Sequence, residues 1–191
     1  MPLFSMIEIR DITISLLVLC AVFAYPEFTT NPAFLLTSLI AVGVAFMGHE
    51  LSHKFMAIRH GFWSEYRMWP QGLVMALLIT IATNGMFVFA APGAVYFTGR
   101  LMKRPRKKEL RNISMAGITF NLILMTVSLA LFYYTSLQIL SYMAMINAWL
   151  AIFNLLPFGG LDGEKLLKVD KRVWAILLII AISGFLLTGF I

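Results

Sequence analysis

Residues Phe34 to Ala57 read FLLTSLIAVGVAFMGHELSHKFMA, and the reading of this run decides the fold. Its first half carries no charge, while its second half holds Gly48-His49-Glu50-Leu51-Ser52-His53. A segment this apolar belongs in a bilayer, yet two imidazoles and a carboxylate are costly there. On a helix, residues four apart lie one turn apart on one face, so both histidines point the same way with Glu50 beside them. Three polar groups on one turn of a hydrocarbon span have no cheap packing explanation. Metal coordination is the simplest compensation.

The rest of the chain agrees with a membrane setting. Over 191 residues, 60% are hydrophobic, 13% are charged and the mean hydropathy is +0.86, which excludes an ordinary soluble domain. The single cysteine, Cys20, lies in an apolar run and offers neither a disulfide framework nor a cysteine metal site. A net charge of +6 could suit nucleic acid, but the basic residues sit in loops beside apolar segments. They read as topology signals and contacts to anionic lipid headgroups, above all in the loop Lys103 to Arg111, and no nucleic-acid partner is expected.

Apolar runs at about 12–25, 33–58, 112–134, 138–156 and 173–191 predict an all-α polytopic membrane protein of about five transmembrane helices. The first run could instead be a cleaved signal peptide, but Glu8 and Asp11 in its leader favour a span. With no internal repeat, residues 1–191 read as a single integral membrane domain with its core at about 33–167. The segment Gly72 to Phe97 is almost uncharged. All fifteen Lys and Arg fall on one side if it enters and leaves by the same face, whereas a crossing would separate Arg67 from Arg100. It therefore reads as re-entrant. Asn84-Gly85, between the apolar runs 78–81 and 87–89, predicts a membrane-dipping β-hairpin there; a helical hairpin or one short extra span is the alternative. The resulting expectation is a multi-pass protein of the cell membrane with a cytoplasmic amino end and an outer carboxyl end. The histidines then lie toward the cytoplasmic side.

A catalytic zinc site keeps three protein ligands and an open position. Asp162 is the best third ligand, because the preceding span breaks at Pro157 and Gly159-Gly160 and its opened backbone must face protein or a wet cavity. His49 lies about nine residues, or roughly 13 Å, from the cytosolic end of its helix, a depth that the opened segment beyond Asn154 can match. His60 is the rival, since it returns to nearly the same face as His53 but sits at the headgroup boundary. Glu50 takes the role of general base. Gly117 and Asn121 share one face of a later span; the glycine permits close helix approach, and an asparagine in the membrane needs a polar partner.

Together these motifs, His49-Glu50-Leu51-Ser52-His53, Gly117-x-x-x-Asn121 and Asn154-x-x-Pro157-x-x-x-x-Asp162-Gly163, resemble the site-2 protease family of intramembrane zinc metalloproteases, over about Ala33 to Leu167. The resemblance implies one zinc per chain bound by His49, His53 and Asp162, Glu50 as catalytic base, and transmembrane proteins as substrates. It also implies that the region of Ala90, Ala91, Pro92 and Gly93 is the family's membrane-dipping segment that guides the substrate strand, and that Asn121 and Asn154 hold substrate or order water. Three positions depart from the pattern: Ser52 where glycine is common, Ile118 where proline is common, and Glu164 where a second glycine is frequent. No PDZ or CBS domain is expected, so substrate choice would come from the membrane core or from partners.

Two other function classes compete. A non-catalytic zinc-stabilised scaffold for transmembrane segments would close the fourth metal position and need no base beside it. An ion or metal transporter would spread ionisable residues over several spans, whereas here they gather near one face.

Overall fold

The computed structural model describes residues 3–99 and 104–189. Arg100 and Lys103 of the charge count, and Phe190 and Ile191 of the last expected span, lie outside the described residues. The chain is mostly helical, with helices α1 (Met6–Ala24), α2 (Phe34–Arg59), α3 (Pro70–Ala82), α4 (Lys107–Thr135), α5 (Gln138–Asn154), α6 (Asp162–Val169) and α7 (Lys171–Thr188). Strands β1 (Phe62–Met68) and β2 (Gly93–Gly99) form one antiparallel pair.

Among the described residues, α2, α4 and α7 are long and apolar enough to cross a membrane, which makes this a membrane protein. The expected count of five spans would add α1 and α5. Helix α1 carries Glu8, Arg10 and Asp11 in its first turns, and α5 is 17 residues long. They pack into the same bundle: α2 lies against α1, α4 and α5, and α7 against α5.

The region 72–97 corrects the sequence reading. Its first half is not a strand but α3, a helix begun by Pro70 at its first turn, where the missing N–H costs nothing. Asn84 and Gly85, at φ 51° and 80°, do not turn a hairpin. They end the helix: Gly85 N–H donates to Thr80 O at 2.8 Å. An Asn-Gly pair supplies left-handed backbone equally well to a hairpin turn or a helix terminus, and a run of uncharged residues gives no period to separate them. The strand that does form, β2, pairs instead with β1, in a register that sets Tyr66 opposite Val95 and Met68 opposite Gly93.

The chain between α3 and β2 lies extended against α5. Trp149 Nε1 donates to Val88 O at 2.9 Å, Trp69 N–H donates to Pro92 O at 2.8 Å, and Phe89 stacks edge-on against Trp69 and Phe153. Those backbone groups are thus satisfied by protein, as irregular chain among membrane helices requires. One apolar cluster joins α1, α2, α5 and the sheet through Leu19, Phe46, Tyr66, Val95 and Leu150. A second, with Ile118, Met125, Ala148, Leu155 and Leu166, joins α4, α5, α6 and α7. The histidine turn of α2 sits between the two.

Candidate metal centre

His49 and His53 leave α2 on one face, as their spacing requires, and point at the start of α6. His53 Nε2 lies 2.7 Å from Asp162 Oδ2, His49 Nε2 lies 3.5 Å from the same oxygen, and the two Nε2 atoms are 3.0 Å apart. All three residues are buried, at 4%, 5% and 8% exposure. They are the group of three metal-capable side chains found among the described residues. His60 is not in it; it caps the end of α2, with its Nε2 3.4 Å from Asn112 Nδ2. The rival for third ligand is thereby set apart from the cluster.

The far side of each imidazole fixes its proton. His53 Nδ1 lies 2.7 Å from Ile113 O, which can only accept, so Nδ1 carries the hydrogen. His49 Nδ1 lies 2.6 Å from Asn121 Oδ1. The orientation of that amide is set by its other end, because Asn121 Nδ2 donates to Ala45 O at 3.1 Å and to Asn147 Oδ1 at 2.9 Å. Both Nε2 atoms therefore present lone pairs to the point that Asp162 Oδ2 also faces. Two lone pairs and a carboxylate crowded this closely repel unless a cation lies between them, and two nitrogens with one oxygen suit zinc. The residues fit the metal.

Close packing of α4 makes the convergence possible. A Cβ added at Gly117 would lie 2.7 Å from His49 Nε2, so a larger residue would intrude on the ligands. Asp162 is delivered by the break after α5. Gly159 and Gly160 take φ 73° and 76°, a region that side chains disfavour, and α6 then starts at Asp162 itself. The departures from the resembled pattern are absorbed locally. Glu164 accepts from Gly160 N–H at 2.8 Å and closes that loop, Ser52 Oγ donates to Gly48 O at 2.6 Å within its own helix, and Ile118 is fully buried in the core.

Glu50 is 8% exposed and lines one cavity with His49, His53, Asp162, Asn154 and the β2 residues Gly93 and Val95. Among the described residues its carboxylate makes no hydrogen bond. A smaller adjoining cavity is lined by Glu50, Asn154, Pro92 and Gly93. Asn154 turns its amide N–H₂ back to Leu150 O at 3.0 Å and lines both cavities. Asn121 does not reach them; its place is behind His49.

Two polar neighbours escaped sequence reading. Lys165 Nζ lies 3.2 Å from Asp162 Oδ1, the oxygen turned away from the histidines. The signal was available, since residues three apart on one helix share a face. Asn147, bonded to Asn121, was an isolated amide in an apolar run, readable by the argument applied to Asn121.

A protein of Methanocaldococcus jannaschii named "Putative zinc metalloprotease MJ0611" is 37% identical over 179 residues, an overlap covering 91% of this chain and 90% of the relative. The chain belongs to that zinc metalloprotease family. No protein-family model matches it, and no solved structure does. Within this metalloprotease, His49, His53 and Asp162 are the residues that could hold the metal, and Glu50 is the carboxylate beside them without a ligand's position in the cluster.

Proposed function

We propose that this metalloprotease is an intramembrane endopeptidase of the site-2 type, which hydrolyses peptide bonds in or near transmembrane segments of membrane proteins. The observation that carries the reading is the meeting, in one buried cavity, of the His49-His53-Asp162 cluster, Glu50 and strand β2. His49, His53 and Asp162 would hold the zinc ion, which when bound would supply Lewis-acid activation of a water and of the scissile carbonyl. Glu50 takes the proton of the attacking water and later passes it to the leaving amine as the C–N bond breaks, which places one proton-transfer group on both halves of the reaction. Burial excludes bulk water and strengthens each electrostatic contact around the reacting atoms.

A transmembrane helix shields its amides by internal hydrogen bonds, so a substrate must first be extended. The free edge of β2 supplies that geometry by strand addition, with Gly93 and Val95 beside Glu50 and Asn154 in the same cavity to hold substrate. Orientation follows from charge: the Lys and Arg residues gather on the cytosolic side, together with the metal centre, in a multi-pass protein of the cell membrane. Partners are then the transmembrane substrate and anionic lipid at the basic segment read from sequence as a loop over Lys103 to Arg111, whose residues from Lys107 onward are in fact the first turns of α4.

The test is a purified protein in detergent or liposomes, with zinc content and cleavage of a single-span substrate measured together for wild type and Glu50→Gln. Wild type cleaves and binds one zinc per chain, and Glu50→Gln keeps the zinc and loses cleavage. A Glu50→Gln protein that cleaves at the wild-type rate overturns the assignment of the base. A wild type that holds zinc through four protein ligands and cleaves nothing favours a scaffold.

A further inference from the structure

A two-stranded sheet has two edges, and an unpaired edge invites another chain. Here α1 closes one of them. Tyr66 N–H donates to Glu8 Oε1 at 2.9 Å, and Met68 N–H lies 3.3 Å from Asp11 Oδ2. These are alternate residues of β1, so their N–H groups point away from β2. In the observed register, Val95 lies opposite Tyr66 and Gly93 opposite Met68. In an antiparallel pair such opposed residues both turn their backbone groups outward, so the N–H and C=O of Gly93 and Val95 face the edge of β2 remote from β1. Gly93 and Val95 also line the cavity with Glu50. Glu8 is itself held in place, since Lys54 Nζ lies 2.8 Å from both of its oxygens and 3.0 Å from Ser64 O.

We infer that Glu8 and Asp11 are positioning residues that act as a surrogate strand: they occupy the outer edge of β1, so that an extended peptide can add only to β2, in reach of Glu50. The inference rests on the peptidase reading above and adds which residues direct the substrate. A peptide paired to β1 instead would lie three strand spacings, about 14 Å, from the productive position and out of reach of the base. The two carboxylates thus close the unproductive edge rather than touching substrate.

Asp11 is the residue to test, because Glu8 is buried against Lys54 and its loss threatens folding. Asp11→Ala removes the acceptor, and Asp11→Asn retains one for Met68 N–H. With a single-span peptide substrate, a peptide held on β1 occupies the protein without being cut, so Asp11→Ala lowers kcat and KM together about five- to tenfold, the scale of one hydrogen bond, while kcat/KM and zinc content stay within about twofold; Asp11→Asn restores both constants. Hydrogen exchange provides an arm without turnover. In the Glu50→Gln protein the bound peptide protects residues 93–99 and leaves 62–68 unchanged, and in Glu50→Gln/Asp11→Ala protection spreads to 62–68. An unchanged KM in Asp11→Ala, an effect that tracks zinc loss, a failure of Asp11→Asn to rescue, or peptide protection at 62–68 or at neither strand with both carboxylates intact overturns the inference. Absent cleavage by wild type defeats the peptidase reading separately, because the location of the bound peptide is still read by exchange.

Discussion

Asn121 Oδ1 on α4 receives the Nδ1 hydrogen of His49 on α2 across 2.6 Å, so the tautomer of a candidate metal ligand is decided by a different helix. Replacing Asn121 with Leu removes that acceptor and frees the imidazole to rotate. Zinc affinity falls about 10- to 100-fold, the usual cost of losing such an outer partner. Asn121→Asp keeps an acceptor and retains more of the affinity. Competition with a chelator of known affinity measures both; equal losses in the two variants would show that the acceptor is not what Asn121 contributes.

Gly117 is a sharper probe of the same interface. Its missing Cβ leaves room that a methyl group would take 2.7 Å from His49 Nε2, against the ligands themselves. Gly117→Ala therefore lowers zinc content at a fixed free-zinc concentration. Gly43→Ala is the control on another helix face, where the new methyl meets Leu16 Cδ1 at 3.8 Å, an ordinary contact. A Gly117→Ala protein with full zinc would mean that α2 and α4 separate easily.

What was legible in the sequence follows from the range of the forces involved. His49, Glu50 and His53 share one helical turn, so spacing alone brought them together. Asp162 was reachable because Pro157 and two glycines announce a break that local backbone chemistry makes unavoidable. The pairing of β1 with β2 was not legible, because it joins segments separated by a helix and is set by register rather than by a local turn signal. Asn84-Gly85 misled for the reason that its signal is local: left-handed backbone ends α3 as well as it turns a hairpin. Likewise Glu8 looked like part of a weak leader, and its burial against Lys54, 46 residues away, depends on tertiary packing that no short-range pattern records.

Removing the metal has a thermodynamic signature. Zinc that binds the folded cluster and not the unfolded chain stabilises by mass action, about 2.7 kcal/mol at a free concentration 100 times Kd. Chelation lowers the unfolding temperature, and titrating zinc back raises it with the logarithm of its concentration. Asp162→Asn flattens this dependence, because a charged ligand is lost from the triad. Thermal unfolding in detergent at several zinc concentrations checks it, and a zinc-independent midpoint in the wild type would argue against a folded-state site.

The Glu8–Lys54 pair, 1% and 2% exposed, distinguishes a charge pair kept for stability from one that is merely dangerous to break. Glu8→Gln preserves an acceptor for Tyr66 N–H but leaves the Lys54 ammonium buried without its counter-charge. Removing one partner of such a pair costs about 3–5 kcal/mol. Glu8→Gln with Lys54→Met removes both charges and recovers most of that loss. If the double variant is as unstable as the single one, the hydrogen bonds to Ser64 and Tyr66, and not the charges, hold the corner together.

Near the start of α4, Asp170 ties the start of α7 to the bundle through Arg111, and it does so in a pH-dependent way. Its carboxylate accepts from Val173 N–H at 3.2 Å and pairs with Arg111 at 3.0 Å. The capping bond first, and the Arg111 contact second, hold its carboxyl below the usual aspartate range. A depressed folded-state value stabilises the fold above the unfolded aspartate pKa of about 3.9, and that stabilisation is lost as pH falls through the folded value. The gap in unfolding temperature between wild type and Asp170→Ala is therefore present at neutral pH and shrinks as pH falls below about 4. Because the pair is partly exposed, raising the salt concentration narrows the Arg111 share of the gap while leaving the capping share. A gap that is constant from neutral to strongly acid pH would show that Asp170 acts only through its shape, with its ionisation making no contribution to how α7 is anchored.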